Sequence, residues 1–378
     1  MDASRSARGE TSILTTVTVT LAVCAMVVGV AVFAAVVSDD DAAPVAASGA
    51  PAAAEGAPAA AHFDFAASWD DAFEARDPSL PPAPGQTVHE VEMRATEVEL
   101  EVAPGVTQTM WTFDDQVPGP TLRGKVGDVF RIRLTNEGEL PHSIDFHASK
   151  VAWNDEMRSI GPGESLVYEF EAKHAGIFMY HCGTAPALHH IGLGMYGAIV
   201  VDPPDLPPVD HEFLFVQSEL YGAPAGKVAT PEQMANEEWD AIVFNGAVNQ
   251  YRDRPIQVGV GERVRAWVLD DGPSENSSFH VVGTVFDTVY KEGAYRLRPD
   301  GGRGGAQALD LQPAQGGFVE FTFDEEGLYP IVTHKFANVG KGALGLFEVG
   351  DGHADTPAQV VGPDGQPVTS TTAAGAAH

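Results

Sequence analysis

The stretch Phe178-Met-Tyr-His-Cys-Gly-Thr-Ala-Pro-Ala-Leu-His-His-Ile-Gly-Leu-Gly-Met-Tyr-Gly-Ala-Ile-Val-Val201 carries a thiolate (Cys182), an imidazole (His190) and a thioether (Met195) in that order, then closes on a β-rich run from Ala198 to Val201. A cysteine, two histidines and a weak axial methionine form the ligand set of a trigonal copper site. The plainer reading is a buried free cysteine, a core methionine and surface histidines. Three such donors in one short loop outweigh it, because they serve both copper oxidation states and fix the geometry with little backbone freedom.

The missing histidine lies upstream, in His142-Ser-Ile-Asp145-Phe-His147. Successive side chains of an extended segment point to opposite sides, and His147 is an odd number of positions from His142. One motif can therefore serve two sites. His142 completes the first copper with Cys182, His190 and Met195. By the same alternation His181 faces away from that copper and pairs with His147 in a second, all-imidazole site. His334, at a strand end matching His181, is the candidate third imidazole. His280 occupies the position that matches His142. The second half has no cysteine to build another thiolate site there, so the His280 imidazole is left for acid/base work.

These motifs sit in a chain of alternating short strands punctuated by Gly, Pro and Asn, the pattern of antiparallel sandwiches. The expected fold is all-β, with two tandem Greek-key cupredoxin sandwiches at 86–203 and 209–350 joined by the stiff Pro203-Pro-Asp-Leu-Pro-Pro208. Two echoes support a repeat: Gly119 to Asp128 is answered by Pro255 to Glu262, and Gly176 to His181 by Gly327 to His334. Residues 39–85 are Ala/Pro-rich and read as a disordered tether, with Trp69, Phe73 and Leu80 available to pack back; residues 351–378 read as a disordered tail.

At 378 residues with a net charge of −31, the chain has room for two cores and an acidic surface that argues against nucleic acid or anionic lipid as a partner. Only Cys24 and Cys182 are present, and Cys24 lies in an apolar run, so Cys182 is free to ligate. That run, Ile13 to Val37 within segment 1–38, carries no charge and would span about 37 Å as a helix, enough to cross a bilayer. It reads as an uncleaved transmembrane anchor. Arg5 and Arg8 before it place the rest of the chain outside, as a single-pass cell-membrane protein with extracytoplasmic domains, or a secreted or periplasmic one if the segment is cleaved.

The His-Ser-Ile-Asp-Phe-His motif, the His181-Cys182 pair and the His190 to Met195 spacing resemble the copper-containing nitrite reductases, two-domain cupredoxins of the multicopper oxidase superfamily, from about Thr87 to Val349. The resemblance implies nitrite reduction to nitric oxide with two coppers per chain. Type 1 copper would be held by His142, Cys182, His190 and Met195; type 2 copper by His147, His181 and His334. Asp145 and His280 would be the proton-handling pair, with Val282 crowding the substrate. It further implies a homotrimer in which His334 comes from a neighbouring subunit, and a small redox protein of the cupredoxin or cytochrome c type as donor. His189 stands where many relatives carry Trp; it is an extra potential ligand or proton shuttle, and is expected to face solvent.

A laccase-type oxidase is the runner-up. Its three-copper cluster needs paired His-x-His motifs, and the 13 histidines of this chain include none. A copper electron-transfer module without nitrite turnover is the third reading, opposed by the presence of both Asp145 and His280.

Overall fold

A computed structural model describes residues 61–299 and 304–354, together with Val361, Pro363 and Gln366. The expected transmembrane segment lies outside these residues, as does most of the expected tail. No helix among the described residues is long and apolar enough to cross a membrane.

The first half contains β1 (Val88–Ala103), β2 (Val106–Phe113), β3 (Leu122–Lys125), β4 (Val129–Asn136), β5 (Asp145–Phe146), β6 (Ser165–Glu171), β7 (Gly176–His181) and β8 (Tyr196–Asp202), with the helical turns α1 (Trp153–Glu156) and α2 (Ala187–Gly192). Sheets β2-β1-β4-β6 and β3-β8-β7-β5 face each other. Strand β6 shows why they do: Leu166, Tyr168 and Phe170 point inward while Ser165, Val167, Glu169 and Glu171 point out, the period-two pattern of a half-buried strand. Phe130, Ile132, Phe146 and Tyr180 fill the space between the sheets.

The second half contains β9 (His211–Leu220), α3 (Pro231–Ala235), β10 (Ala241–Phe244), α4 (Gln250–Asp253), β11 (Ile256–Val258), β12 (Arg263–Gly272), β13 (Ser277–Val281), β14 (Thr288–Lys291), β15 (Ala294–Leu297), β16 (Leu309–Leu311), β17 (Gly316–Thr322), β18 (Gly327–Thr333) and β19 (Leu344–Val349). Its sheets run β10-β9-β12-β17-β14-β15 and β11-β19-β18-β13-β16. The pairing scheme repeats that of the first half. Strands β1 and β4 run parallel as β9 and β12 do, β3 and β8 as β11 and β19 do, and the antiparallel pair β5 and β7 returns as β13 and β18.

Strands β9 and β12 are buried almost end to end rather than in alternation. The cause is a second covered face. Leu214, Val216, Trp267 and Leu269 pack against Ile177, Met179, Ala198 and Val200 of β7 and β8, so a third apolar layer joins the halves.

The expected disordered tether 39–85 departs from the structure over residues 61–85. Trp69 is 5 % exposed and its indole N–H donates to the Val248 carbonyl at 2.8 Å. Leu80 is buried, its N–H donates to Glu212 O at 2.9 Å, and Ser79 bridges to Phe213. A few large apolar side chains are enough to dock an otherwise Ala/Pro-rich strap, because each buried one contributes about 1.5–3 kcal/mol.

Candidate metal centres

The loop after β7 is tied end to end. Cys182 N–H donates to Met195 O at 3.0 Å, and Met195 N–H donates to His190 O at 3.1 Å. Gly194 lets the chain turn back: its φ is 115°, and a Cβ there would meet Val117 Cγ2 at 2.6 Å. Cys182, His190 and Met195 are thereby gathered within the first core.

Within this core His142 Nδ1 lies 3.3 Å from His190 Nδ1, and Cys182 Sγ lies 3.3 Å from the same His190 nitrogen. The donor atoms of His142, Cys182 and His190 all fall within 4.8 Å of one another, and all three residues are buried. Burial pushes the Cys182 thiol up. The hydrogen bonds from His142 and His190 outweigh it and leave the thiol well below its ordinary value, in the direction of the thiolate a metal requires. Ser143 N–H approaches the sulfur at 3.4 Å. Met195 is fully buried in the same cluster. A buried set of two imidazole nitrogens and one thiolate, with a thioether nearby, fits copper.

Two residues here lie beyond the sequence reading. Glu97 Oε1 accepts from His142 Nε2 at 2.9 Å, and the Trp111 ring lies edge-on to both His142 and His190. The expectation that His189 faces solvent is corrected. It is half-buried, its Nε2 donates to Ala229 O at 2.8 Å, and its ring meets Trp111 with centroids 4.8 Å apart. The segment carrying Ala229 lies far along the chain, so nothing near His189 signalled this.

A second group sits on the other side of the same peptide. His147 Nε2 and His181 Nε2 are 3.0 Å apart, and Asp145 Oδ2 is 3.7 Å from His181 Nε2. The donor atoms of Asp145, His147 and His181 form a cluster within 4.8 Å, with His147 exposed and the other two half-buried. Two imidazole nitrogens at 3.0 Å cannot both carry a proton, so at least one presents a lone pair, as a metal ligand must.

His334 and His280 are elsewhere. Their ring centroids are 5.0 Å apart, and His334 N–H donates to Ser278 O at 2.7 Å just beyond β18. Within one chain His334 does not join the donor atoms of His147 and His181. His334 is exposed, as are Phe336, stacked on its ring, and Val282 and Val285 nearby in sequence to His280. Burial and the neighbouring His334 push the His280 imidazole below its ordinary value, with the Gln307 backbone opposing them.

The expected match of His280 to His142 is also corrected. His280 lies inside β13, opposite Val332 of β18, whereas His142 precedes β5 and bridges to Ile160. The counterpart of β13 in the first half is β5, which carries Asp145. Sequence spacing misjudged this because the loops before the two strands differ in length.

Residues 94–206 match the family model described as multicopper oxidase. The chain is 34% identical over 295 residues to the copper-containing nitrite reductase of Neisseria gonorrhoeae, covering 74% of each protein. Among solved structures it resembles the copper nitrite reductase from Nitrosomonas europaea, with 34% identity, TM-score 0.64, and coverage of 71% of this chain and 95% of the other. A multicopper oxidase structure is similar at 29% identity and TM-score 0.62, covering 72% of this chain and 94% of that one.

Proposed function

The chain belongs to the copper-containing nitrite reductase family, and from that premise we propose that it reduces nitrite to nitric oxide with two coppers per chain. The observation that carries the reading is that adjacent residues, His181 and Cys182, belong to two different donor groups. His142, Cys182, His190 and Met195 are assigned to type 1 copper, and His147, His181 and His334 to type 2 copper.

Each turnover consumes one electron, two protons and one nitrite and releases nitric oxide and water. Copper, when bound, supplies one-electron redox chemistry and a positive charge that captures nitrite and polarises its N–O bond. The chain's own contribution is connection and proton supply. The His181-Cys182 peptide links the electron-entry donors to the substrate-side donors by a few covalent bonds. Asp145, which lies beside His181, is assigned to hold a proton at its carboxylate, and His280 to hold one on its ring.

The third imidazole is proposed to come from a neighbouring copy in a homotrimer. Support lies in the exposure of both His147 and His334 and in the exposed apolar side chains of Val282, Val285 and Phe336. Val282 is assigned, in such an interface, to crowding the substrate. The two halves, 86–203 and 209–350, are read as tandem cupredoxin domains on the strength of their repeated strand pairing. A small redox protein of the cupredoxin or cytochrome c type is the proposed donor. The apolar run from Ile13 to Val37 supports a tether that leaves the catalytic part extracytoplasmic. The laccase-type reading stays second, since the described residues offer two groups of metal donors and no paired His-x-His set.

Anaerobic turnover of the copper-loaded chain with nitrite and a reduced dye, following nitric oxide and copper per chain, tests the proposal. Nitric oxide at two coppers per chain is expected. Two coppers with no nitric oxide would overturn it.

A further inference from the structure

We infer that Glu97 is a positioning residue that sets the redox potential of the electron-entry copper; the inference rests on the type 1 assignment above. His142 turns its Nδ1 toward Cys182 and His190, so its Nε2 carries the hydrogen and donates it to Glu97 Oε1 at 2.9 Å. This bond fixes the tautomer and the ring orientation. A carboxylate at the far nitrogen also makes the imidazole a stronger donor to a metal at the near one, and the effect is larger for divalent than for monovalent copper. Glu97 therefore holds the potential of this site down.

The surrounding chain is built to hold that carboxylate in place. Glu97 lies in β1 opposite Trp111 of β2, whose ring edges against His142 and His190. Its Oε2 accepts from Glu139 N–H at 2.8 Å and its Oε1 also accepts from Leu140 N–H at 3.3 Å. The loop that supplies these donors is pinned by the fully buried Asn136, whose amide donates to Leu140 O at 2.7 Å and Ile160 O at 2.9 Å. Gly138 leaves the room: a Cβ there would lie 2.6 Å from both Glu97 carboxylate oxygens. The Glu97 side chain is only 15% exposed and His142 is fully buried, so water screens the pair weakly.

The test is a spectroelectrochemical titration of the copper-loaded full chain, read through the thiolate-to-copper charge-transfer band. Glu97→Gln keeps an acceptor for His142 and removes the charge. The expected result is a retained band and about a tenfold fall in the preference for divalent over monovalent copper, which is a rise of about 59 mV for one electron. Glu99→Gln removes an exposed charge two residues along the same strand and is expected to move the potential far less. A potential that does not rise in Glu97→Gln, or that rises equally in Glu99→Gln, overturns the assignment. Should Glu97→Gln lose its band, Gly138→Ala decides by the same two outcomes, because it displaces the carboxylate without altering it. A wild-type chain that binds copper without a thiolate band would instead sink the type 1 assignment itself.

Discussion

Asp145 stands directly opposite His181 in the β5–β7 register, its Oδ2 3.7 Å from His181 Nε2, with His147 completing the group two residues farther on. A carboxylate in that position is close enough to serve a substrate at the proposed type 2 site and too far to saturate the His181 ring. Asp145→Asn keeps the shape and removes the proton-accepting charge. Nitric oxide formation is expected to fall about 100-fold or more, with copper per chain unchanged; loss of copper in parallel with activity would show a ligand role instead.

The two donor groups share a peptide but no side chain, so they should fail separately. His147→Ala is expected to remove one of two coppers, abolish nitric oxide formation and leave the thiolate-to-copper absorption intact. Metal analysis alongside the visible spectrum checks this.

A site divided between copies can be rebuilt by mixing. His147→Ala and His334→Ala chains are each expected to be inactive alone. After co-refolding, some interfaces carry neither substitution, and part of the activity should return. No recovery in assemblies shown by mass to be mixed would place all three imidazoles in one chain.

Asp271 is 1 % exposed and neither of its carboxylate oxygens has a hydrogen-bond partner. Burial, with Asp270 and Glu219 adding to it, raises its proton affinity well above the ordinary carboxylate range. A carboxyl raised in the folded state holds its proton where the unfolded chain has lost it. Its penalty is therefore absent below the unfolded value, about 3.9, and grows as pH rises above it. Asp271→Asn should stabilise the protein by about 1–3 kcal/mol at pH 7 and make no difference near pH 4. Thermal melts of both chains across that range measure the sign directly.

The strap before β1 gives a stability prediction. Trp69→Ala removes a buried ring and leaves the Val248 carbonyl without its 2.8 Å donor. The expected cost is about 3–5 kcal/mol, measurable by denaturant unfolding; a cost below about 0.5 kcal/mol would mean the strap is not docked in solution.

Much of the fold was legible because strands advertise themselves locally. The inward Leu166, Tyr168 and Phe170 of β6 alternate with outward polar groups, and glycines and prolines mark the turns. The two donor groups were legible because strand alternation is a period-two rule that separates His181 from Cys182 and His142 from His147. What stayed hidden depends on contacts distant in sequence. Trp69 finds its partner 179 residues away, and Glu97 reaches His142 across 45. On β1 Glu97 looks like its neighbours Glu99 and Glu101. The match of His280 to His142 failed for a related reason: strand pairing aligns His280 with β5, and loop length, which spacing arguments must assume, does not.

Gly192, in the α2 turn within the loop from Cys182 to Met195, has Met234 pressed against it so tightly that a Cβ would meet the sulfur at 2.5 Å. Met234 belongs to α3 in the second half of the chain, and with Tyr221, Ala223 and Ala229 it is part of the first half's own core. The roof over the thiolate loop is thus borrowed. A fragment ending at the proline-rich joint would keep every proposed type 1 ligand and still lose that roof, opening the loop to water. The proposed electron-entry site is in this sense a product of both halves, because side chains from the later one complete the core that covers it.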